Sequence, residues 1–225
     1  MKKDIRLLEL FSGIGGFTQG LKQSGFNLID HQYAEIEQHA NAVYQYQYPS
    51  AIALGSVTTI NTAQIERPNI ITFGSPCQDF SYEGSRQGIK GTKSKLLRSA
   101  IETVDVLRPD LFIWENVKGA FSSNEGRDFQ AILQAFTNIG GYRLEWQLCN
   151  TRWVLPQNRE RIYLVGHLDG KSRPCVFPFQ QGDQLTDTAS NQERKKRKRE
   201  QSEGVVSAIT KSYFKAPNAG ETYLY

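Results

Sequence analysis

Three groups of residues in this chain have types and spacings that chemistry can use. The first is a thiol. Phe73-Gly74-Ser75-Pro76-Cys77-Gln78 follows an apolar run, and Pro76 biases Ser75 toward an extended backbone that presents Cys77 in a fixed direction. A thiolate is a strong carbon nucleophile, but an ordinary thiol with a pKa of about 8.5 must be activated or assisted. The second is a carboxylate, Glu115, closing the apolar run Leu111-Phe112-Ile113-Trp114. An acid at the edge of an apolar environment has its charged form disfavoured, so it can carry a proton near neutrality. The third is a pair of guanidiniums in Gln157-Asn158-Arg159-Glu160-Arg161, just before the strand-like Ile162-Tyr163-Leu164-Val165. Residues at i and i+2 of an extended chain point the same way, so Arg159 and Arg161 can converge on one site. Each group also has a plainer reading: Cys77 as a small buried hydrophobe, Glu115 as a strand-end charge, and the arginines as partners of Glu160.

A fourth feature is suited to holding a ligand. Leu10-Phe11-Ser12-Gly13-Ile14-Gly15-Gly16-Phe17 puts glycines where a buried strand turns into a helix, which allows close backbone approach beside free N–H groups. The spacing is not GxGxxG, so a pyrophosphate cradle is a poor fit. Glu35 lies nineteen residues after Gly16 at the end of the next strand, where an acid in a doubly wound fold accepts hydrogen bonds from ribose hydroxyls. Alternatively, the glycines make only a tight turn and Glu35 is a surface charge.

The elements that must position these residues alternate along the chain. Strand-like segments at 5–11, 28–33, 69–73, 111–114 and 161–166 are separated by helix-like segments ending near Ser24, at 38–46, at 95–107 and at 128–139. Pro109 stops one helix and Gly140-Gly141 another. Strands alternating with helices of this length predict an α/β fold with a mostly parallel, doubly wound sheet. Residues 1–178 form the predicted domain. Residues 179–204 are polar enough for a charged linker, and 205–225 are a short tail, the possible start of a further region.

The chain has 225 residues, enough for one sizeable domain, and its formal charge of +4 is misleading. Arg194 to Arg199 is an unbroken basic run, and without its six charges the remainder carries −2. Attraction to a polyanion by the main body must therefore be local. No stretch approaches the roughly 20 apolar residues of a membrane span, and the N-terminus is not a secretory signal. Cys77, Cys149 and Cys175 form no paired framework, which suits a reducing compartment, so the expectation is a soluble cytoplasmic protein. Cys149 and Cys175 read as packing residues. His31, His39 and His167 fall in no metal-ligand pattern and read as structural; no metal site is predicted.

Phe-Ser-Gly-Ile-Gly-Gly, Pro-Cys-Gln, Glu-Asn-Val and Gln-Asn-Arg-Glu-Arg occur in the order and rough spacing of the DNA cytosine-5 methyltransferase family, which this chain resembles over residues 5–178. The resemblance implies a Rossmann-like fold and methyl transfer from S-adenosyl-L-methionine to carbon-5 of a cytosine flipped out of duplex DNA. It implies catalytic roles for Cys77, Glu115, Arg159 and Arg161. Phe11, Ser12, Gly13, Gly15 and Gly16 would hold the methionine end of the cofactor, Glu35 the ribose, and Ile36, Ser56 and Val57 the remainder. Ser56 departs from the family's usual Asp, which puts cofactor affinity in question. Asp79 to Lys95, with Gly84, Gly88 and Gly91, suits a closing loop, and Gln78, Ser81, Arg86, Lys90 and Lys93 would contact DNA. Its plainer reading is a solvated surface loop. The family's target-recognition region and last motif are not found, so a second polypeptide carrying recognition is expected, against a truncated remnant or a minimal enzyme. A tRNA-directed relative and a non-catalytic remnant of the fold are the competing readings.

Overall fold

The computed structural model describes residues 3–75, 94–170 and 174–179. Ile5, Leu7, Leu8 and Leu10 are all buried, so β1 (Lys3–Leu10) is covered on both faces, as a central parallel strand must be. Seven strands form one sheet in the order β3-β2-β1-β4-β5-β7-β6. The others are β2 (Phe26–Ala34), β3 (Ile52–Ala53), β4 (Ile70–Gly74), β5 (Leu111–Val117), β6 (Tyr142–Asn150) and β7 (Glu160–Leu168). Chain order reverses between β1 and β4, so the carboxyl ends of these two strands flank the crevice where ligands bind in such sheets. Strands β1 to β5 pair in parallel, whereas β7 is antiparallel to both β5 and β6.

Two features correct the sequence reading. Tyr142–Asn150 is a nine-residue strand that the alternating series lacked, and 161–166 does not extend the parallel series but runs against it. The reversal decides where the arginines lie. Since β7 is turned over, its beginning, not its end, stands beside the carboxyl end of β5, with Val117 opposite Arg161.

The main core fills one face of the sheet. Leu8, Leu10, Ile71, Phe73, Phe112 and Trp114 pack there against Leu97, Ala100 and Val104 of α3 (Ser94–Leu107) and Phe129, Ile132 and Phe136 of α5 (Arg127–Thr137). Burying each of these large side chains contributes about 1.5–3 kcal/mol. On the other face lie α1 (Gly16–Gln23) and α2 (Gln38–Gln47), with a smaller cluster of Ile5, Leu7 and Ile70 and a tyrosine group, Tyr33, Tyr44 and Tyr48. A short helix, α4 (Lys118–Ser122), leads out of β5.

Residues 174–179 form a strap along β6. The buried Glu145 carboxylate accepts from Val176 N–H at 2.9 Å and Phe177 N–H at 3.2 Å, and also meets His167 Nε2. Gln147 accepts from Phe179 N–H at 2.8 Å and donates to its carbonyl at 3.0 Å. The Arg143 guanidinium donates to Cys175 Sγ at 3.0 Å. Cys175 is exposed and so is not a packing residue, whereas Cys149 is half-buried and its thiol is pushed up to about 12 by that burial. His31 and His167 are both buried in hydrogen-bond networks, and His39 is exposed. Among the described residues, no helix is long and apolar enough to cross a membrane.

Candidate active site

The site forms at the carboxyl edge of β4 and β5. Glu115 sits directly opposite Gly74 on β4 and Tyr163 on β7. Its Oε1 accepts from Arg161 Nε at 2.9 Å, and both side chains are about one-fifth exposed (22% and 19%). The other oxygen lies over Gly74, where an added Cβ would approach Glu115 Oε2 to 3.0 Å. Glycine at 74 thus keeps the floor beneath the carboxylate clear. Burial pushes the Glu115 carboxyl above the usual range, and the nearby Arg161 and Arg159 guanidiniums draw it partly back.

The two residues flanking Glu115 hold the approach to the cysteine loop. Ser75 is buried, and its Oγ accepts from Trp114 Nε1 at 3.1 Å and Asn116 Nδ2 at 3.3 Å. Asn116 Nδ2 also donates to the Ser75 carbonyl, at 3.3 Å. The strand that carries the acid therefore also fixes the residue two positions before Cys77. Cys77 itself lies outside the described residues, as do Gln78, Ser81, Arg86, Lys90 and Lys93.

Glu160 does not neutralise the arginines on either side of it. Its partner is Lys118, with Nζ 2.8 Å from Oε2, which leaves Arg161 for Glu115. Arg159 is exposed beside the site, and its backbone is tied to Asn150 and Thr151 at the end of β6.

Across the crevice, the glycine turn is held from two directions. Ser12 N–H donates to the Ala34 carbonyl at 3.2 Å, and Gly13 N–H donates to Glu35 Oε2 at 2.8 Å. Glu35 Oε1 accepts from Ile36 and Glu37 N–H, both at 2.8 Å, so Glu35 is a tether between strand ends and not an idle surface charge. Phe11 and Gly13 take positive φ, 51° and 54°, and Gly15 opens α1 at φ 92°. A Cβ on Gly15 would stand 2.6 Å from the Tyr48 ring, so α1 can begin only with glycine there. Beside Gly13 and Gly16, by contrast, there is open space. Ser12 Oγ is buried without a partner among the described residues, an unmet polar atom at the mouth of the turn. Ile36 is 75% exposed, and Ser56 caps the short turn 57–59, accepting from Thr58 N–H at 3.3 Å. The Val57 side chain is buried in the main core at the start of that turn.

Two contributors were not singled out in the sequence. Glu9, one residue before the turn, is almost fully buried and accepts from Thr18 Oγ1 at 2.5 Å and Tyr44 OH at 2.9 Å. The start of α1 has no side-chain cap from Gly15, and the Glu9 carboxylate lies beside the Phe17 and Thr18 backbone there. The signal that would have found it is an acid inside an otherwise continuous apolar strand. Gly74 is the other, marked only by its place before Ser75-Pro76-Cys77.

The C-5 cytosine-specific DNA methylase family profile matches residues 5–223. The orphan methyltransferase M.SPRI of Bacillus phage SPR is 32% identical over 165 residues, covering 72% of this chain and 37% of that protein. The type II methyltransferase M.DsaV of Dactylococcopsis salina is 30% identical over 186 residues, covering 82% of this chain and 52% of that protein. The chain thus spans between about a third and a half of the length of these relatives. The S. pombe Dnmt2 methyltransferase shares the fold, with a TM-score of 0.60 over 77% of this chain and 52% of that one at 22% identity. The sheet is accordingly the Rossmann-like one of methyltransferases, and with a family match running almost end to end, the chain belongs to the C-5 cytosine-specific DNA methylase family.

Proposed function

We propose that this chain is the catalytic part of a DNA cytosine-5 methyltransferase that uses S-adenosyl-L-methionine, with Cys77 as nucleophile and Glu115 as its acid–base partner. The anchoring of Ser75 by Trp114 and Asn116, which bracket Glu115, carries this reading. Cys77 follows Ser75 by two residues in the sequence, and two residues of chain span at most about 7 Å.

The turn residues suit the cofactor. The unmet Ser12 hydroxyl and the open space at Gly13 and Gly16 fit its methionine end, with Phe11 and Gly15 shaping the same turn. The spare lone pairs of Glu35 fit ribose hydroxyls, the exposed Ile36 fits one face of a base, and Ser56 and the Val57 backbone fit its polar edge. When bound, the cofactor supplies a methyl group on a positively charged sulfur.

In this mechanism the Cys77 thiolate adds to carbon-6 of the cytosine, forming the S–C6 bond. Glu115, whose carboxyl burial raises above its ordinary range, shares a proton with ring N3, so ring electrons reach carbon-5 without negative charge building on the base. Arg161 orients that carboxyl, and Arg159 extends toward the O2 side. After carbon-5 accepts the methyl group, a base takes its proton and the S–C6 bond breaks, returning the thiolate. The base must leave the stack to enter such a crevice, which costs a few kcal/mol. Gln78, Ser81, Arg86, Lys90 and Lys93 are proposed as contacts with the duplex. Target recognition is assigned to further polypeptide, for which we propose a second chain. Ile113 and Val117, half-buried on the α1 side of β5, offer apolar surface for it to pack on.

DNA carrying 5-fluorocytosine tests the chemistry, because fluorine blocks loss of the carbon-5 substituent. A covalent protein–DNA adduct that needs S-adenosyl-L-methionine is expected. Cys77→Ser should lose adduct and methyl transfer while keeping cofactor binding. Loss of both together would make Cys77 structural, and no adduct even with a captured partner chain present would overturn the reading.

A further inference from the structure

Tyr163 lies outside every role described so far, yet it stands at the junction of the two halves of the site. It is the cross-strand neighbour of Glu115 and shares its sheet face, and Arg161 precedes it by two residues on that face. From the opposite side, the Phe17 ring in the first turn of α1 meets the Tyr163 ring edge-on, with centroids 6.5 Å apart. Phe17 follows directly on Gly15 and Gly16. One contact pair therefore spans from the catalytic carboxylate to the turn assigned to the cofactor. We infer that Tyr163 is a positioning residue: its ring, braced by Phe17, walls off the Glu115–Arg161 pair from water and links it mechanically to the cofactor turn.

The surroundings support an aromatic wall. Glu115 and Arg161 are each only about a fifth exposed, although they lie at the open edge of the sheet. The groups around Glu115 can be named by element. Strand β7 contributes Arg161 and the Tyr163 hydroxyl, which burial and the Glu115 charge hold above its ordinary range, and the segment just before it contributes Arg159. Strand β6 contributes the Cys149 thiol, neutral at working pH, next to Tyr163. Strand β4 presents Gly74 and α1 presents Phe17, neither of them titratable. Burial is the leading cause of the raised Glu115 carboxyl, and the bulkiest neighbour directly across the ladder is this ring. Removing the ring admits water to the ion pair; keeping the ring and losing only the hydroxyl does not.

The inference builds on the role proposed for Glu115, so its test uses a readout that needs neither DNA nor turnover. In the full chain, the Glu115 carboxyl can be titrated by infrared difference spectroscopy, its band assigned by disappearance in Glu115→Gln. Tyr163→Phe should titrate with the parent, and Tyr163→Ala should titrate about one unit lower, toward the solvated value. Unchanged titration in Tyr163→Ala overturns the inference, as does an equal shift in Tyr163→Phe, which would assign the effect to the hydroxyl. Should Tyr163→Ala fail to fold, Phe17→Ala decides instead. It leaves Tyr163 in place but removes its brace, and should lower the titration and weaken S-adenosyl-L-methionine binding several-fold; no change in either sinks the idea. If fluorocytosine trapping fails while these titrations behave as stated, the methyltransferase reading falls and the wall stands.

Discussion

At the scale of single residues, the site depends on which acid each cation chooses. Lys118 occupies Glu160, so Arg161 is committed to Glu115. Arg161→Gln should therefore act on the proton held at Glu115. Without the guanidinium the carboxyl rises further, and in the active assembly methyl transfer should fall by about 10²-fold. A pH–rate profile checks this, with the limb due to Glu115 moving to higher pH; an unmoved limb would show that Arg161 serves only as scaffolding. The acid, the arginines and the turn glycines were legible in the sequence because each breaks an apolar pattern with a reactive or flexible type. Glu9 breaks its apolar strand in the same way, but sequence does not show that Thr18 and Tyr44 arrive to donate to it.

At the scale of elements, the junction of β1, β2, α1 and α2 is sealed by a buried polar group whose members respond to pH in opposite directions. Burial raises the Glu9 carboxyl from its ordinary 4.5, so the stability tied to its proton is present below that value and is lost as pH rises through the raised one. Burial lowers His31 from 6.5 to about 4, so its contribution is present above 6.5 and is lost as pH falls toward about 4. In the parent chain the two slopes oppose each other. Thermal melts between pH 4 and 7 should show stability rising with pH in Glu9→Gln and falling with pH in His31→Gln. Parallel profiles for the two variants would mean that the groups are not buried in solution as they are here. Strand β6 was the element missed, although Tyr142, Leu144, Trp146 and Leu148 alternate with polar residues at the strand period. Its polar side carries Glu145 and Gln147, whose partners on residues 174–179 are remote in sequence. The direction of β7 was illegible for a simpler reason: an apolar strand reads the same whichever way it is laid into a sheet.

For the whole molecule, the main question is what keeps the sheet's far edge in register. Glu145, fully buried, takes two strap N–H groups and His167 together. Glu145→Ala takes this shared acceptor away, a loss of about 1–3 kcal/mol for each buried N–H that no longer finds one. Chemical denaturation would measure it, and faster proteolysis within 174–179 should accompany it; parent-like stability would show that the strap is not held by this carboxylate. The contacts of the strap also have an order. Cys175 meets Arg143, Val176 and Phe177 meet Glu145, and Phe179 meets Gln147, so the strap advances along β6 in the direction that ends at Asn150, across from Glu160. Having been carried to the back of the sheet by β7, the polypeptide is brought forward again, and at Phe179 it is released heading for the rim on which Glu115 and Arg161 open. Phe179, held by Gln147 opposite Tyr163, thus stands level with Glu115 at the front of the sheet.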